Sequence, residues 1–305
     1  MKKPRNCIGC QQMANLLIGL CLVVVLAGCS IIEGDEDIPS YLYIEPFVFE
    51  SGDPANEGSS SALIPYGWVY AGGAFFGAYE LPARVPVVAE GNTRITVLPG
   101  IRDNGSVITP QVYAFYERYE QDISLEPLRT DTIIPVTRYL SDLNFLFLED
   151  FEGGHPFVLD VQGNQVEDLT INFEPPLPFE GGAGQLFVDE DAPISSVITQ
   201  NTLVGLPTNG TPVYLELDYL TDVNLRIGLL AFDAQGATLP LTTLVLRPNE
   251  SWNKAYFSLA DPLNAVVGRG VAYKIVLSAE LPSNNEGFTV TSGNAFVDNV
   301  KLVTF

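Results

Sequence analysis

Downstream of Cys29 the 305-residue chain has no cysteine, which excludes an internal disulfide or a cysteine-ligated metal from that part. Histidine occurs once, as His155 in a Gly-Gly-His-Pro stretch, with no neighbour in sequence to make it a base. Positive charge is also scarce, since 15 Lys+Arg stand against 37 Asp+Glu for a net −22. Lys2, Lys3 and Arg5 precede Cys29 and no acid does, so removal of the first 28 residues takes away three positive charges and leaves −25. A surface of that sign repels phosphate backbones, which argues against nucleic acid as a partner and favours neutral ligands or divalent cations. P-loop, nucleophile-elbow and zinc-protease patterns are all missing. Helical periodicity is hard to find beyond residue 40, whereas 27 glycines and 22 prolines, both costly inside helices, punctuate short alternating runs. The body therefore reads as all-β.

The first 28 residues have the order of a secretory signal peptide: a basic start, an apolar run from Leu16 to Leu26, then small residues. That run falls short of the roughly 20 apolar residues a spanning helix needs. Cys7, Cys10 and Cys21 would leave with this segment, so Cys7-Ile-Gly-Cys10 is not read as a redox or zinc pair. Leu26-Ala27-Gly28-Cys29 resembles the lipobox of bacterial lipoproteins, which implies acylation of Cys29, cleavage before it and attachment to a membrane through the lipid. Residues 29–40 carry Glu33, Asp35, Glu36 and Asp37, an acidic tether similar to the surface-export signal of Bacteroidota lipoproteins. The expected address is thus the outer membrane, lipid-anchored, at the cell surface. A solvated spacer in a very acidic protein, with the body on the periplasmic face, is the other reading.

Two β units are expected behind the tether. The first spans 41–127, with strands that include Leu42 to Phe49, Gly67 to Ala71 and Val112 to Tyr119. Gly77-Ala-Tyr-Glu-Leu-Pro-Ala-Arg-Val-Pro86 followed by Ile95-Thr-Val-Leu-Pro-Gly100 resembles immunoglobulin-like or transthyretin-like β-sandwich modules, which implies a spacer. Its aromatics, Tyr66, Trp68 and Tyr70 with Tyr113, Phe115, Tyr116 and Tyr119, are expected in the sandwich core rather than on a sticky face. Residues 128–144 read as a linker or a first strand. Inside it, Asp131-Thr132-Ile133 matches a short O-glycosylation acceptor pattern familiar in Bacteroidota, with Thr132 as the acceptor.

The second unit, 145–305, opens with Phe147-Leu-Glu-Asp-Phe-Glu152 and closes with Phe296-Val-Asp-Asn-Val300. This pairing resembles jelly-roll modules of the carbohydrate-binding and MAM-like kinds, which implies that the first and last strands are neighbours in one sheet. The resemblance also implies one structural Ca²⁺ shared by Glu152 and Asp298, with Glu149 and Asp150 nearby. The Ser251-Trp-Asn-Lys-Ala-Tyr-Phe-Ser-Leu259 segment is similar to uncharacterised Bacteroidota lipoproteins with the same closing strand.

A sugar-binding jelly roll stacks exposed rings on the pyranose face and fixes hydroxyls with amides and carboxylates. Trp252, Tyr256, Tyr214 and Tyr219 are the candidate rings, with Asn253 and Asp218 as polar partners. Alternation places Val213, Leu215, Leu217 and Tyr219 on a core face and Tyr214, Glu216 and Asp218 on the other, expected to face solvent. A retaining glycosidase of this fold would carry Glu-x-Asp-x-x-Glu on one strand. Glu216-Leu-Asp218-Tyr-Leu-Thr221 has threonine in the last place, so the expectation is a non-catalytic protein. Its partner is read as a glycan; the alternatives are an adhesin or a subunit of an envelope protein assembly, and last a glycoside hydrolase.

Overall fold

The computed structural model describes residues 37–105, 110–159, 169–174, 180–239 and 243–305. Cys29 and the apolar run before it lie outside the described residues. Among those described, no helix is long and apolar enough to cross a membrane.

Strands dominate the described residues, beside two short helices, Pro54–Glu57 and Ala260–Ala265, and are arranged as two sandwiches in sequence. In the first, Ser40–Ile44 pairs antiparallel with Ala83–Val87 and parallel with Thr130–Ile133. Facing it is a sheet in which Gly91–Ile101 holds Tyr66–Ala71 on one side and Gln111–Val112 and Tyr119–Leu125 on the other, with Ala74–Glu80 outermost. Leu42, Ile44, Val69, Val85, Val87, Ile95 and Val97 fill the space between, all fully buried. Each comes from an alternating stretch, so one face of every strand is apolar and the sheets close on it.

One expectation is corrected here. Val112 to Tyr119 is not a strand: pairing stops at Val112, and Tyr113, Phe115 and Tyr116 fold inward before a new strand, Tyr119–Leu125, begins. Burying those rings together outweighs the extended conformation their alternation suggests. The segment 128–144 holds two strands, Thr130–Ile133 and Val136–Thr137, the latter parallel to Val48–Phe49. Ile133, 3% exposed, belongs to the first core.

The second sandwich has one sheet ordered Thr170–Asn172, Ala183–Asp189, Ser292–Thr304, Val213–Thr221 and Asn253–Ser258. Asn144–Glu149 pairs with the far half of Ser292–Thr304, so the opening and closing strands are neighbours as expected. The opposite sheet is built on Ile194–Thr199, Ala272–Glu280 and Asn224–Phe232, flanked by Phe157–Leu159 and Thr243–Leu246. Between them lies a large apolar core that includes Phe151, Phe157, Leu215, Leu217, Ile227, Ile275, Leu277 and Leu302.

A third core joins the sandwiches. Tyr113, Phe115, Tyr116 and Tyr139 pack against Tyr214, Tyr256 and Val303 of the jelly roll. The Asp103-Asn-Gly105 turn adds a second contact, because Asn104 N–H donates to the Tyr256 carbonyl and Asn104 Oδ1 accepts from Ser258 N–H. The first unit thereby covers one face of the jelly roll and also pairs with its edge strand.

Candidate functional site

On Val213–Thr221 the expected alternation holds, with Val213, Leu215, Leu217 and Tyr219 in the jelly-roll core. The other face does not reach solvent. Tyr214 is 8% exposed, Glu216 0% and Asp218 2%, and Tyr256 on the adjacent strand is 1% exposed. The expectation of a solvent-facing groove at Tyr214, Glu216 and Asp218 is corrected by the first unit, which lies over it.

What replaces the groove is a sealed polar network. The Glu216 carboxylate accepts from the Tyr113 hydroxyl at 2.5 Å and from the Tyr139 hydroxyl at 2.8 Å. The Tyr116 and Tyr256 hydroxyls lie 3.1 Å apart, and Tyr256 also accepts from Leu63 N–H. Burial, then the Glu216 charge, raises the Tyr113 hydroxyl well above its ordinary pKa, so it stays a donor. Asp218 accepts from the Ser61 hydroxyl at 2.6 Å. Lys254 stands 3.7 Å from both Glu216 and Asp218. Lys301, fully buried, donates to the Ser59 carbonyl, and burial lowers its pKa to about 8. Asp298 and Lys301 share this face because Asn299, at φ +49°, is an extra residue in the last strand where its register with Val213–Thr221 shifts. Neither Glu216 nor Asp218 opens to a cleft, so this pair offers no access to a glycosidic bond.

Glu152 and Asp298, the expected cation ligands, do come together. With Asp150 and Glu180 they line a cavity of about 210 Å³ beside Ser59 and Asn299. Gly182 N–H donates to Glu152 Oε1 at 2.9 Å. Gly181, at φ +39°, has no room for a Cβ, which would overlap the Glu152 carboxyl group. Glu180 accepts from the Ser59 hydroxyl, and Asp298 Oδ1 accepts from Asn299 N–H. Glu149 instead turns back to accept from Phe151 N–H. Burial, reinforced by the charges of Asp218, Glu180 and Glu152, pushes Asp298 up to about 8. Oxygen donors and excess negative charge fit a hard divalent cation in kind. Among the described residues, however, no three acidic or other metal-type side chains converge to coordinating geometry.

Trp252 and Asn253 are half-exposed at the start of the jelly roll's edge strand. Asn253 Nδ2 lies 3.4 Å from the Tyr219 hydroxyl, and Asn249 donates to the Ser251 carbonyl beside them. Asn253 and Tyr219 border a small cavity of about 90 Å³ that Arg102 of the first unit also lines. A larger cleft, about 710 Å³, lies near Asp53, Glu57, Glu117, Arg138 and Asn144. Two rings line it: Tyr139, only 3% exposed, and the partly buried Phe145. Thr132 is exposed on Thr130–Ile133, an outer strand of its sheet.

The aromatic group read as one core divides in two. Tyr113, Phe115 and Tyr116 are buried, but between the units rather than within the first sandwich. Tyr66, Trp68 and Tyr70 stay half-exposed on the outer side of their sheet. The signal was present in the alternation, since Val69 and Ala71 hold the other phase.

No family model matches the chain, and no curated protein matches it by sequence. Among solved structures it is similar to a carbohydrate-binding module from the β-sandwich superfamily noted for promiscuous specificity, at 10% identity, covering 78% of this chain and 85% of that one, with a TM-score of 0.38. It is also similar to the family 11 carbohydrate-binding module of the Clostridium thermocellum cellulase Lic26A-Cel5E, at 14% identity over 54% of this chain and 96% of that one, TM-score 0.38. The enzymatically active domain of bacteriophage CBA120 tailspike protein 4 gives 14% identity and a TM-score of 0.37 over 50% of this chain. The chain spans 20% of that tailspike structure. At these TM-scores no ligand is carried over from the neighbours, and the all-β class rests on the strand pairing described above.

Proposed function

We propose that this protein is a non-catalytic, lipid-anchored envelope protein, acylated on Cys29 and displayed at the outer-membrane surface, whose jelly roll binds a glycan. The observation that carries the glycan reading is the start of the jelly roll's edge strand, where Trp252 and Asn253 are partly exposed and the Asn253 amide and Tyr219 hydroxyl border a small cavity. Tyr214, Tyr256 and Asp218 support that edge from within, as buried members of the junction, and do not touch the ligand. The sealing of Glu216 and Asp218 supports the non-catalytic reading. Thr132, exposed on an outer strand, is open to glycosylation, and the intact mass of the native protein reads both its sugar and the lipid.

On a glycan array the full chain is expected to bind at least one neutral oligosaccharide, and Trp252→Ala to weaken that binding about tenfold, the usual cost of deleting an aromatic anchor. Capture of an envelope protein with no glycan bound would favour the assembly reading instead.

One Ca²⁺ held by Glu152 and Asp298, with Asp150 and Glu180 adding charge, belongs to the same proposal. It would tie the opening of the jelly roll to its last strand. Saturating Ca²⁺ at about 100 times its Kd stabilises a fold by about 2.7 kcal/mol, a rise in Tm of roughly 5–10 °C that chelator reverses. A Tm indifferent to Ca²⁺ and chelator removes the ion from the proposal.

A further inference from the structure

The strand Tyr66–Ala71 buries Val69 and Ala71 and turns Tyr66, Trp68 and Tyr70 outward, every second residue, about 6.8 Å apart. Phe75, 55% exposed on the neighbouring outer strand, lengthens the row, its ring 5.1 Å from that of Tyr70. Trp68 lies across Gly100 of Gly91–Ile101, where a Cβ would overlap the six-membered part of the indole. The absence of a side chain there seats the ring against the sheet.

Beside the rings are groups that hydrogen-bond and cancel in charge. Glu80, opposite Tyr66, pairs with Arg102 at 3.2 Å. Asp122 holds Arg94 through two hydrogen bonds of 2.6 and 2.9 Å. Arg118 pairs with Glu120 at 3.1 Å, next to Thr96 in the row of Tyr70. Three arginines thus meet three acids in a chain of net charge −22, and this face is locally neutral. It attracts neither a polyanion nor a basic protein. A row of π-faces flanked by paired guanidinium and carboxylate groups instead matches a pyranose chain, apolar on its C–H faces and rich in hydroxyls at its edges.

The row does not end at Tyr66. The Arg102 guanidinium lies 6.0 Å from the Tyr66 ring centre and also walls the cavity that Asn253 and Tyr219 border. We infer that the outer face of the first unit is a second binding platform, on which a neutral polysaccharide lies along Phe75, Tyr70, Trp68 and Tyr66 and continues past Arg102 to the jelly-roll edge. The first unit is then part of the receptor as well as a spacer. The continuation at Asn253 rests on the jelly-roll reading above; the ring row stands without it.

The test is binding of the full chain to immobilised xyloglucan, galactomannan and mixed-linkage β-glucan, with polygalacturonate as the charged control. Trp68→Ala with Tyr70→Ala should weaken retention on the responsive neutral polymer tenfold or more. Phe75→Ala, at a site too exposed to disturb folding, should weaken it about threefold, within the usual range for an exposed aromatic contact. Retention lost with Trp252→Ala yet untouched by these row variants overturns the platform and leaves the jelly-roll reading intact. No retention of the unaltered chain on any neutral polymer overturns both. Preferential retention on polygalacturonate overturns the neutral ligand. Self-association of the chain that Tyr70→Ala and Phe75→Ala abolish assigns the rings to a protein interface and overturns the proposal as well.

Discussion

Glu216→Ala lowers the stability of the folded protein by about 3–5 kcal/mol, the usual cost of removing one partner from a buried charged network. The reason is what it leaves behind. The Tyr113 and Tyr139 hydroxyls lose the carboxylate they donate to, and Lys254 keeps its ion pair to Asp218 in a buried site. Glu216→Gln retains one carbonyl acceptor and so costs less. Thermal unfolding followed by circular dichroism should place the alanine variant roughly 10 °C below the parent and the glutamine variant between them. A shift under 2 °C for Glu216→Ala means that the network is not sealed.

Tyr113→Ala is expected to have the next largest effect, about 3–5 kcal/mol for a fully buried ring. Tyr113 stands at the centre of the junction, with ring centroids of Phe115, Tyr116, Tyr214 and Tyr256 all within 5.3 Å. Tyr113→Phe keeps those contacts and loses only the hydrogen bond to a carboxylate, about 1.5–3 kcal/mol. Calorimetry distinguishes this junction from ordinary core. The parent should unfold in one transition, because the aromatic cluster couples the sandwiches, and Tyr113→Ala should split the trace in two. One undivided transition in that variant, with its midpoint unmoved, overturns the coupling.

The strands of the jelly roll were legible because alternation reports which residues share a face. Val213, Leu215, Leu217 and Tyr219 are core as read, and the opening and closing strands are neighbours. Alternation does not report what lies on the opposite face. Tyr214, Glu216 and Asp218 have the composition of a wet surface, yet a second unit covers them, and only the placement of Ser61, Ile64, Ile101, Tyr113, Phe115, Tyr116 and Tyr139 reveals it. The same limit misread Val112 to Tyr119, whose rings serve a junction between units rather than a sheet. Glu152 and Asp298 were brought together by resemblance at the chain ends, whereas Glu180, some thirty residues away from Glu152, has no local pattern that marks it. Trp68 and Tyr70 were readable in phase but were grouped with Tyr113 by aromatic density, which carries no direction.

The middle strand of the first sandwich has a mechanical consequence. Ser40–Ile44 is the first strand among the described residues, and it runs in the same direction as Thr130–Ile133 across four residue pairs, Tyr41 to Ile44 against Thr130 to Ile133. Tension applied at Ser40 and transmitted onward past Ile133 pulls this pair from opposite ends. The hydrogen bonds are then loaded in shear, all at once, instead of being peeled one after another. A protein hauled by its leading end against drag would hold at its first strand.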